Sequence, residues 1–481
     1  MRSALLLTAL LLAGCRAEPR PPSFVLVCLD TLRADHIGAW GDPEALTPNL
    51  DALAAESVMF TSAWSQANIT HMSHGSLFAS RYPSELGATT EGFSPATDSP
   101  LMAEILSTWG YQTAAAVGGG HLAAGRGLER GFDTWARPAP LGSLFHTVPV
   151  ALDALDVMDP ERPFLLFVHG YDAHTRYLKP APLGLKHADP AYAGPGQRAA
   201  RELLGTVYVL DGRYYEGVEL PDLLDMRAPR PWGAEARAAL PAAAAVKGIA
   251  STPLDAGDLS YLEAVYDGAV SYADAWLGLL LAALQERGTL DEAWLILVSD
   301  HGESLGEDGY FDHVLTLSDA TLRVPLLIRP PGGLPEGRSL DGQTALLDVL
   351  PTVLEIAEIQ PPTGIHGTSL LPAIEGAPWP GHEAVFAEGS IRMVSARSAA
   401  GRLTFAGMGA DSPFLAEALA AAPLGGVAFA DSPPSDPATR AALRAALLAW
   451  RAALRPSPGT AVEPSPAQRE ELRKHGYWSA P

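Results

Sequence analysis

Apolar runs of strand length punctuate the first two thirds of the chain: Ser23 to Leu29, Gln112 to Val117, Pro163 to Val168, Ala293 to Ser299 and Val324 to Ile328. Runs such as Phe24-Val25-Leu26-Val27 and Trp294-Leu295-Ile296-Leu297-Val298 show no period-two alternation, which predicts strands covered on both faces. Amphipathic segments separate them, so the order predicts an α/β fold on a large, mostly parallel sheet sandwiched by helices. Thr47-Pro48-Asn49 offers an N-cap followed by Pro at the first helical position, with Leu50, Leu53 and Ala54 on one face. Ser271 to Arg287 carries an apolar face and stops at Gly288, and Leu346 to Ala357 reads as a helix with Pro351 in its first turn. After about residue 361 the pattern changes. Ala384 to Glu388, Ile391 to Arg397 and Arg402 to Phe405 predict a small antiparallel sheet, and Ala438 to Leu454 a helix rich in Ala and Leu. Pro456 to Pro466 is Pro-rich and is expected to be loosely ordered.

Composition narrows the class. With 33 Lys+Arg against 55 Asp+Glu the 481-residue chain carries a formal charge of −22, which argues against nucleic acid as a partner, since phosphate-backbone affinity rests on clustered Lys and Arg. Its 47% hydrophobic and 18% charged residues suit a large buried core. Cys15 and Cys28 are the two cysteines, so there is no disulfide framework. Arg2 precedes an apolar stretch from Ala4 to Leu12 that is too short to span a bilayer and reads as a secretory signal. Leu12-Ala13-Gly14-Cys15 resembles the lipobox of bacterial lipoproteins. The resulting expectation is a signal peptide over 1–15 and a tether over 16–22, with Cys15 lipidated and the protein held on a bilayer in the bacterial cell envelope. A catalytic α/β domain is expected over 23–360 and a small C-terminal α+β subdomain with tail over 361–481.

Ligands of open α/β sheets sit beyond the carboxyl ends of the strands. Asp30 ends the first apolar run, Asp300 and His301 end the fourth, and His169, followed by Asp172 and His174, ends the third. Asp with His is a divalent-metal ligand set. Asp30 by itself suits a helix cap or turn better than a ligand. Between the first two runs lies Asn68-Ile69-Thr70-His71-Met72-Ser73-His74-Gly75-Ser76. A hydroxyl at the start of a helix, next to a cation, can become a nucleophile; on local sequence alone Thr70 reads first as the cap of that helix.

Together these residues resemble the sulfatase branch of the alkaline phosphatase superfamily over roughly residues 23 to 405. Asp30-Thr31-Leu32-Arg33-Ala34-Asp35-His36 with Gly38 and Gly41 resembles the opening motif, and Thr47-Pro48-Asn49-Leu50-Asp51 the next. Asp300-His301-Gly302-Glu303, Phe311-Asp312-His313, Leu322-Arg323-Val324-Pro325-Leu326 and Leu347-Asp348-Val349-Leu350-Pro351-Thr352 match later ones. The resemblance implies an alkaline-phosphatase-like fold. It also implies a divalent metal ion (Ca, Mn, Mg or Zn) on Asp30, Asp300 and His301, with Thr70 as fourth ligand and nucleophile. His174 and His313 would act near the leaving group or the transferring anion, with His169 and His74 as supporting, substrate-binding groups.

The departures bear on the chemistry. Sulfatases proper carry Cys or Ser where this chain has Thr70 and convert it to formylglycine; Thr would yield a ketone, and Met72 and His74 replace the Pro and Arg of the modification signal. Thr31 stands where the family has a second Asp, and no Lys-x-His element surrounds Gly119-Gly120-His121. Relatives with a Thr nucleophile are phosphodiesterases and phosphoryl transferases. The expectation is therefore a metal-dependent hydrolase or transferase acting on an anionic ester, with phosphate or phosphonate chemistry favoured over sulfate. A true sulfuric ester hydrolase and a catalytically silent binding lipoprotein are the alternatives. The stretch Arg176 to Ser260 lacks family motifs and is assigned to substrate selection.

Overall fold

The computed structural model describes residues 20–88, 95–96, 98–203, 207–218, 223–224, 234–389, 393–405 and 436–455. The expected signal peptide with Cys15, the start of the tether, Ile391 and the Pro-rich tail lie outside the described residues. Among those described, no helix is long and apolar enough to cross a membrane.

An eight-stranded sheet forms the centre, in the order Arg338–Leu340, Val58–Phe60, Leu326–Arg329, Ala293–Val298, Ser23–Leu29, Phe164–Gly170, Gln112–Ala116, Thr134–Ala136. The five strands from Ala293–Val298 to Thr134–Ala136 run parallel, and Leu326–Arg329 is antiparallel to both of its neighbours. The Ser23–Leu29 strand shows why its sequence lacks alternation. Val25, Val27 and Leu29 enter one apolar core, while Phe24, Leu26 and Cys28 enter another on the opposite face. Helices Pro48–Ala54, Leu144–Asp156 and Ala256–Glu286 cover the first face; Thr70–Ala79, Met102–Thr108 and Val349–Ile356 cover the second. Each core is thus a helix-on-sheet layer that buries apolar area away from water.

Four local readings need correction. The run Val324 to Ile328 is broken at Pro325, whose nitrogen has no hydrogen to donate. Arg323–Val324 pairs with Ala63–Trp64 in a separate three-stranded sheet, and only Leu326–Arg329 joins the centre. The helix expected from Ser271 begins at Ala256 and runs 31 residues, with Asp255 as N-cap accepting from the Asp258 N–H. Thr47 does precede the Pro48–Ala54 helix, but its hydroxyl makes no cap bond; it accepts from Gly38 N–H and donates to Asp51. His169 lies inside its strand, Phe164–Gly170, and not beyond it.

Beyond residue 380, Val385–Gly389, Met393–Ser398 and Gly401–Phe405 form an antiparallel sheet. The helix Pro437–Ala453 packs on it through Leu443, Leu447 and Trp450. A five-stranded antiparallel sheet draws on chain from both sides of the fourth expected run. Val207–Leu210, Arg213–Glu216 and Ser251–Pro253 join there with Ser304–Leu305 and Tyr310–Asp312.

Candidate metal and nucleophile site

Strand register sets the site. Cys28 pairs with Val298 on one side and with His169 on the other, so two residues further along Asp30 and Asp300 emerge level at the carboxyl edge of the sheet. Both are completely buried. Asp300 Oδ1 is held by the backbone N–H groups of His301 (3.0 Å) and Thr31 (3.3 Å), leaving Oδ2 with no hydrogen-bond partner. Neither carboxylate oxygen of Asp30 has a well-formed hydrogen bond among the described residues; His169 Nε2 stands 3.3 Å from Oδ2. Burial pushes both carboxyls well above their ordinary pKa, and the Asp30 charge raises Asp300 further. His301 Nδ1 donates to the Gly302 carbonyl at 3.0 Å, which leaves Nε2 as a lone pair 3.5 Å from Asp300 Oδ2 and 4.0 Å from Asp30 Oδ1.

One donor atom from each of Asp30, Asp300 and His301 lies within 4.8 Å of the others. Two buried carboxylates with free oxygens and a neutral imidazole are a donor set for a divalent cation, and they fit one on chemistry as well as position.

Thr70 opens the helix Thr70–Ala79, all ten residues of which are buried. Ile69 is the N-cap and no side chain caps the helix, so Thr70 does not play the capping role open to it. Its Oγ1 sits 3.4 Å from His301 Nε2, at the edge of the Asp30–Asp300–His301 trio. Ser73, one turn on, donates to the Asp300 carbonyl at 2.6 Å and ties this helix to the strand end.

The remaining expected histidines divide into two places. His74 and His169 lie behind the carboxylates. His74 Nδ1 donates to the Thr70 carbonyl at 2.8 Å and lies 3.5 Å from Asp300 Oδ2, with its ring against Phe78, Phe167 and His169. His169 Nδ1 accepts from Gly118 N–H, which turns Nε2–H towards Asp30. Burial lowers each to about 3, with His169 adding to the effect at His74, so both are neutral imidazoles. His174 and His313 lie on the open side. His313 Nδ1 donates to the Asn68 carbonyl (2.7 Å), its Nε2 is 3.2 Å from His174 Nε2, and its ring is 4.3 Å from that of His301. His174 stacks on Tyr171 at 4.1 Å; burial, and then His313 and His301, hold it well below the ordinary imidazole pKa.

Sequence reading gave no role to four residues here. His71, next to Thr70, has Nδ1 3.0 Å from His121 Nδ1, and both rings are buried. His121 carries no Lys-x-His pattern, and only its place after three glycines marked it. Glu303 ends the metal-type motif and is fully buried with neither oxygen hydrogen-bonded among the described residues; with Asp312 and His313 it forms a second group of close donor atoms. Thr31, which stands where the family has Asp, contributes its backbone N–H to Asp300 and donates its hydroxyl to the Asp30 carbonyl.

The sulfatase family profile matches residues 22–359. The chain belongs to the sulfatase family. An ulvan-active sulfatase of Formosa agariphila is 25% identical over 362 residues, covering 73% of this chain and 65% of that protein's own length. An N-acetylglucosamine-6-O-sulfatase of Bacteroides thetaiotaomicron is 25% identical over 431 residues, covering 77% of this chain and 74% of the relative. Among solved structures, a phosphonate monoester hydrolase from Silicibacter pomeroyi superposes with a TM-score of 0.62 at 21% identity, over 91% of this chain and 96% of that one. That likeness shows the fold: a large, mostly parallel sheet with helices on both faces and a small C-terminal antiparallel sheet. These relatives are ester hydrolases, and sulfatase-family enzymes use a divalent metal ion.

Proposed function

We propose that the chain is a metal-dependent hydrolase or transferase of anionic esters that attacks through Thr70 and prefers phosphonate or phosphodiester substrates to sulfate esters. The observation that carries this reading is the Thr70 hydroxyl 3.4 Å from His301 Nε2, beside buried oxygens of Asp30 and Asp300 that have no hydrogen-bond partner among the described residues. Asp30, Asp300, His301 and Thr70 would hold the cation. When bound, a divalent cation lowers the pKa of a coordinated hydroxyl and offsets charge on the substrate oxygens.

Thr70 Oγ1 then forms a bond to phosphorus as the bond to the leaving oxygen breaks in line, and the product is a phosphothreonine ester. The His174–His313 pair faces the same space with a proton between two nitrogens. With His313 Nδ1–H committed to Asn68, that proton belongs on His174 Nε2, where it can hydrogen-bond the leaving oxygen; the proton Thr70 gives up passes to solvent, and solvent returns one to the leaving alcohol. Water, or an acceptor alcohol, displaces Thr70 in the second step. A sulfate ester on Thr has no equivalent of the C–O cleavage that formylglycine hydrate uses, because Thr70 carries one hydroxyl; this favours phosphorus over sulfur. His74 and His169 keep the carboxylates in place, and the segment 176–260 selects the substrate.

The names of the relatives favour a second reading, sulfate-ester hydrolysis. Full-length protein assayed with Mn²⁺, Zn²⁺, Mg²⁺ and Ca²⁺ against aryl phosphonate monoesters, phosphodiesters, phosphate monoesters and sulfate esters separates the two. Sulfate esters turned over faster than every phosphorus ester would reject the preference.

Lipid attachment belongs to the same proposal. Leu12-Ala13-Gly14-Cys15 supports acylation of Cys15 and a site of action on the cell-envelope bilayer. Lipid labelling in the native host, lost in Cys15→Ser, is the expected result; equal labelling of both proteins would reject it.

A further inference from the structure

Arg126 is 5% exposed, its Nη1 is buried without a hydrogen-bond partner, and no carboxylate pairs with it among the described residues. Other arginines of similar burial are matched: Arg33 by Asp35 and Glu307, Arg329 by Glu56. A guanidinium withdrawn from water without an acceptor is costly, since nothing repays its lost hydration. Burial accordingly lowers Arg126 to about 10, which still leaves it charged at neutral pH.

Its position gives that cost a use. Arg126 lies on the same loop as His121, whose ring is held well below the ordinary imidazole pKa by burial first, then by His71 and Arg126. His121 Nδ1 lies 3.0 Å from His71 Nδ1, and His71 directly follows Thr70. The connecting loop is locked against the site. Gly119 sits at φ +82°, and a Cβ there would come 3.0 Å from the ring of Tyr171, the residue stacked on His174. The helix Thr70–Ala79 contributes no arginine to the site: Met72 and His74 stand where the family places Pro and Arg.

We propose that Arg126 and His121 form an oxyanion subsite of the proposed active site, binding a phosphate, phosphonate, sulfate or carboxylate group of the substrate. A guanidinium presents a fixed fork of N–H donors that such groups accept in pairs, and its charge does not depend on pH in the working range. The anion is either the group under attack or a second acidic group elsewhere on the substrate. The inference rests on the reading of this site as a substrate site, but binding of an anion can be measured without turnover.

Orthophosphate is titrated calorimetrically into the full-length protein, Mn²⁺-loaded and again after EDTA treatment. Arg126→Gln should bind orthophosphate at least roughly tenfold more weakly in both states, with unchanged metal content, and Arg126→Lys should recover part of the loss. In the absence of phosphate, Arg126→Met should melt no lower than the wild type, since it removes an uncompensated charge. Orthophosphate binding within twofold of wild type in Arg126→Gln would overturn the subsite. So would a lower melting temperature in both neutral variants, which marks Arg126 as structural. Two aryl phosphonate monoesters, one bearing a carboxylate on its leaving group, locate the anion. Equal losses of kcat/KM in Arg126→Gln place it on the group under attack; a loss confined to the carboxylated ester places it on a second acidic group. Wild-type protein that hydrolyses neither ester counts against the proposed reaction, while the orthophosphate titration still decides the subsite.

Discussion

His174 Nε2 and His313 Nε2 face each other at 3.2 Å, although 139 residues separate them. One nitrogen must donate, and the bond from His313 Nδ1 to the Asn68 carbonyl puts that proton on His174. A hydrogen-bond donor to the leaving oxygen matters most when the leaving group is a strong base. His174→Ala is therefore expected to slow hydrolysis of an alkyl ester by roughly 10²-fold or more, and that of a 4-nitrophenyl ester far less. A plot of log kcat/KM against leaving-group pKa measures this; parallel plots for the two proteins would remove His174 from the role.

Thr70→Ala should abolish nearly all turnover, by roughly 10³-fold or more, because it removes the hydroxyl that opens the buried helix beside His301 Nε2, while the Ser73 hydroxyl is committed to the Asp300 carbonyl. Thr70→Ser, which restores the hydroxyl, should recover a measurable part. Mass spectrometry of wild-type protein quenched during phosphonate hydrolysis should find the added group on Thr70. Sulfatase activity persisting in Thr70→Ala would reject both nucleophile and preference.

Asp300→Asn combined with His301→Ala should reduce tightly bound metal to background and activity with it, since the pair supplies two of three close donor groups. Elemental analysis of the dialysed protein reads the outcome. Asp300→Asn alone keeps one oxygen donor and should weaken retention without eliminating it.

Asp172 supplies a pH test. Burial raises its carboxyl to about 6, against which Lys179 and the Leu144 N–H pull it down. A carboxyl raised on folding contributes stability that is complete below its unfolded pKa, about 4, and is lost as pH climbs through the folded value. Asp172 should therefore cost stability between about pH 4 and 6, and Asp172→Asn should flatten that decline, leaving the variant roughly 1–3 kcal/mol better off at pH 8 relative to pH 4 than the wild type. Urea denaturation of metal-free protein across pH 4–8 gives the comparison; identical pH profiles would contradict it.

The central strands were legible because a strand covered on both faces needs an unbroken apolar run, and Ser23–Leu29 and Ala293–Val298 supply one. Short strands at and next to the sheet edges escaped notice for the opposite reason. Val58–Phe60, Thr134–Ala136 and Arg338–Leu340 have three residues each, too few for a period to register. Acids ending strands stood out beside the apolar runs they terminate, so Asp30, Asp300 and His301 were readable in place. The His71–His121 contact was not, since it joins a helix to a loop 50 residues away and no local pattern records such a meeting. The start of the 31-residue helix was missed because its cap, Asp255 with Asp258, lies in a stretch without matching motifs.

The strand Tyr310–Asp312, which delivers His313, is hydrogen-bonded along one edge to Val207–Leu210. That partner belongs to the segment between residues 176 and 260, where family motifs are absent. Evolution along this segment is therefore coupled: a hairpin remodelled to admit a new molecule also re-aims an imidazole at the reacting bond. Transplanting residues 207–216 from a relative should cost turnover even on an unchanged substrate, until Tyr310 and Phe311 are exchanged with them.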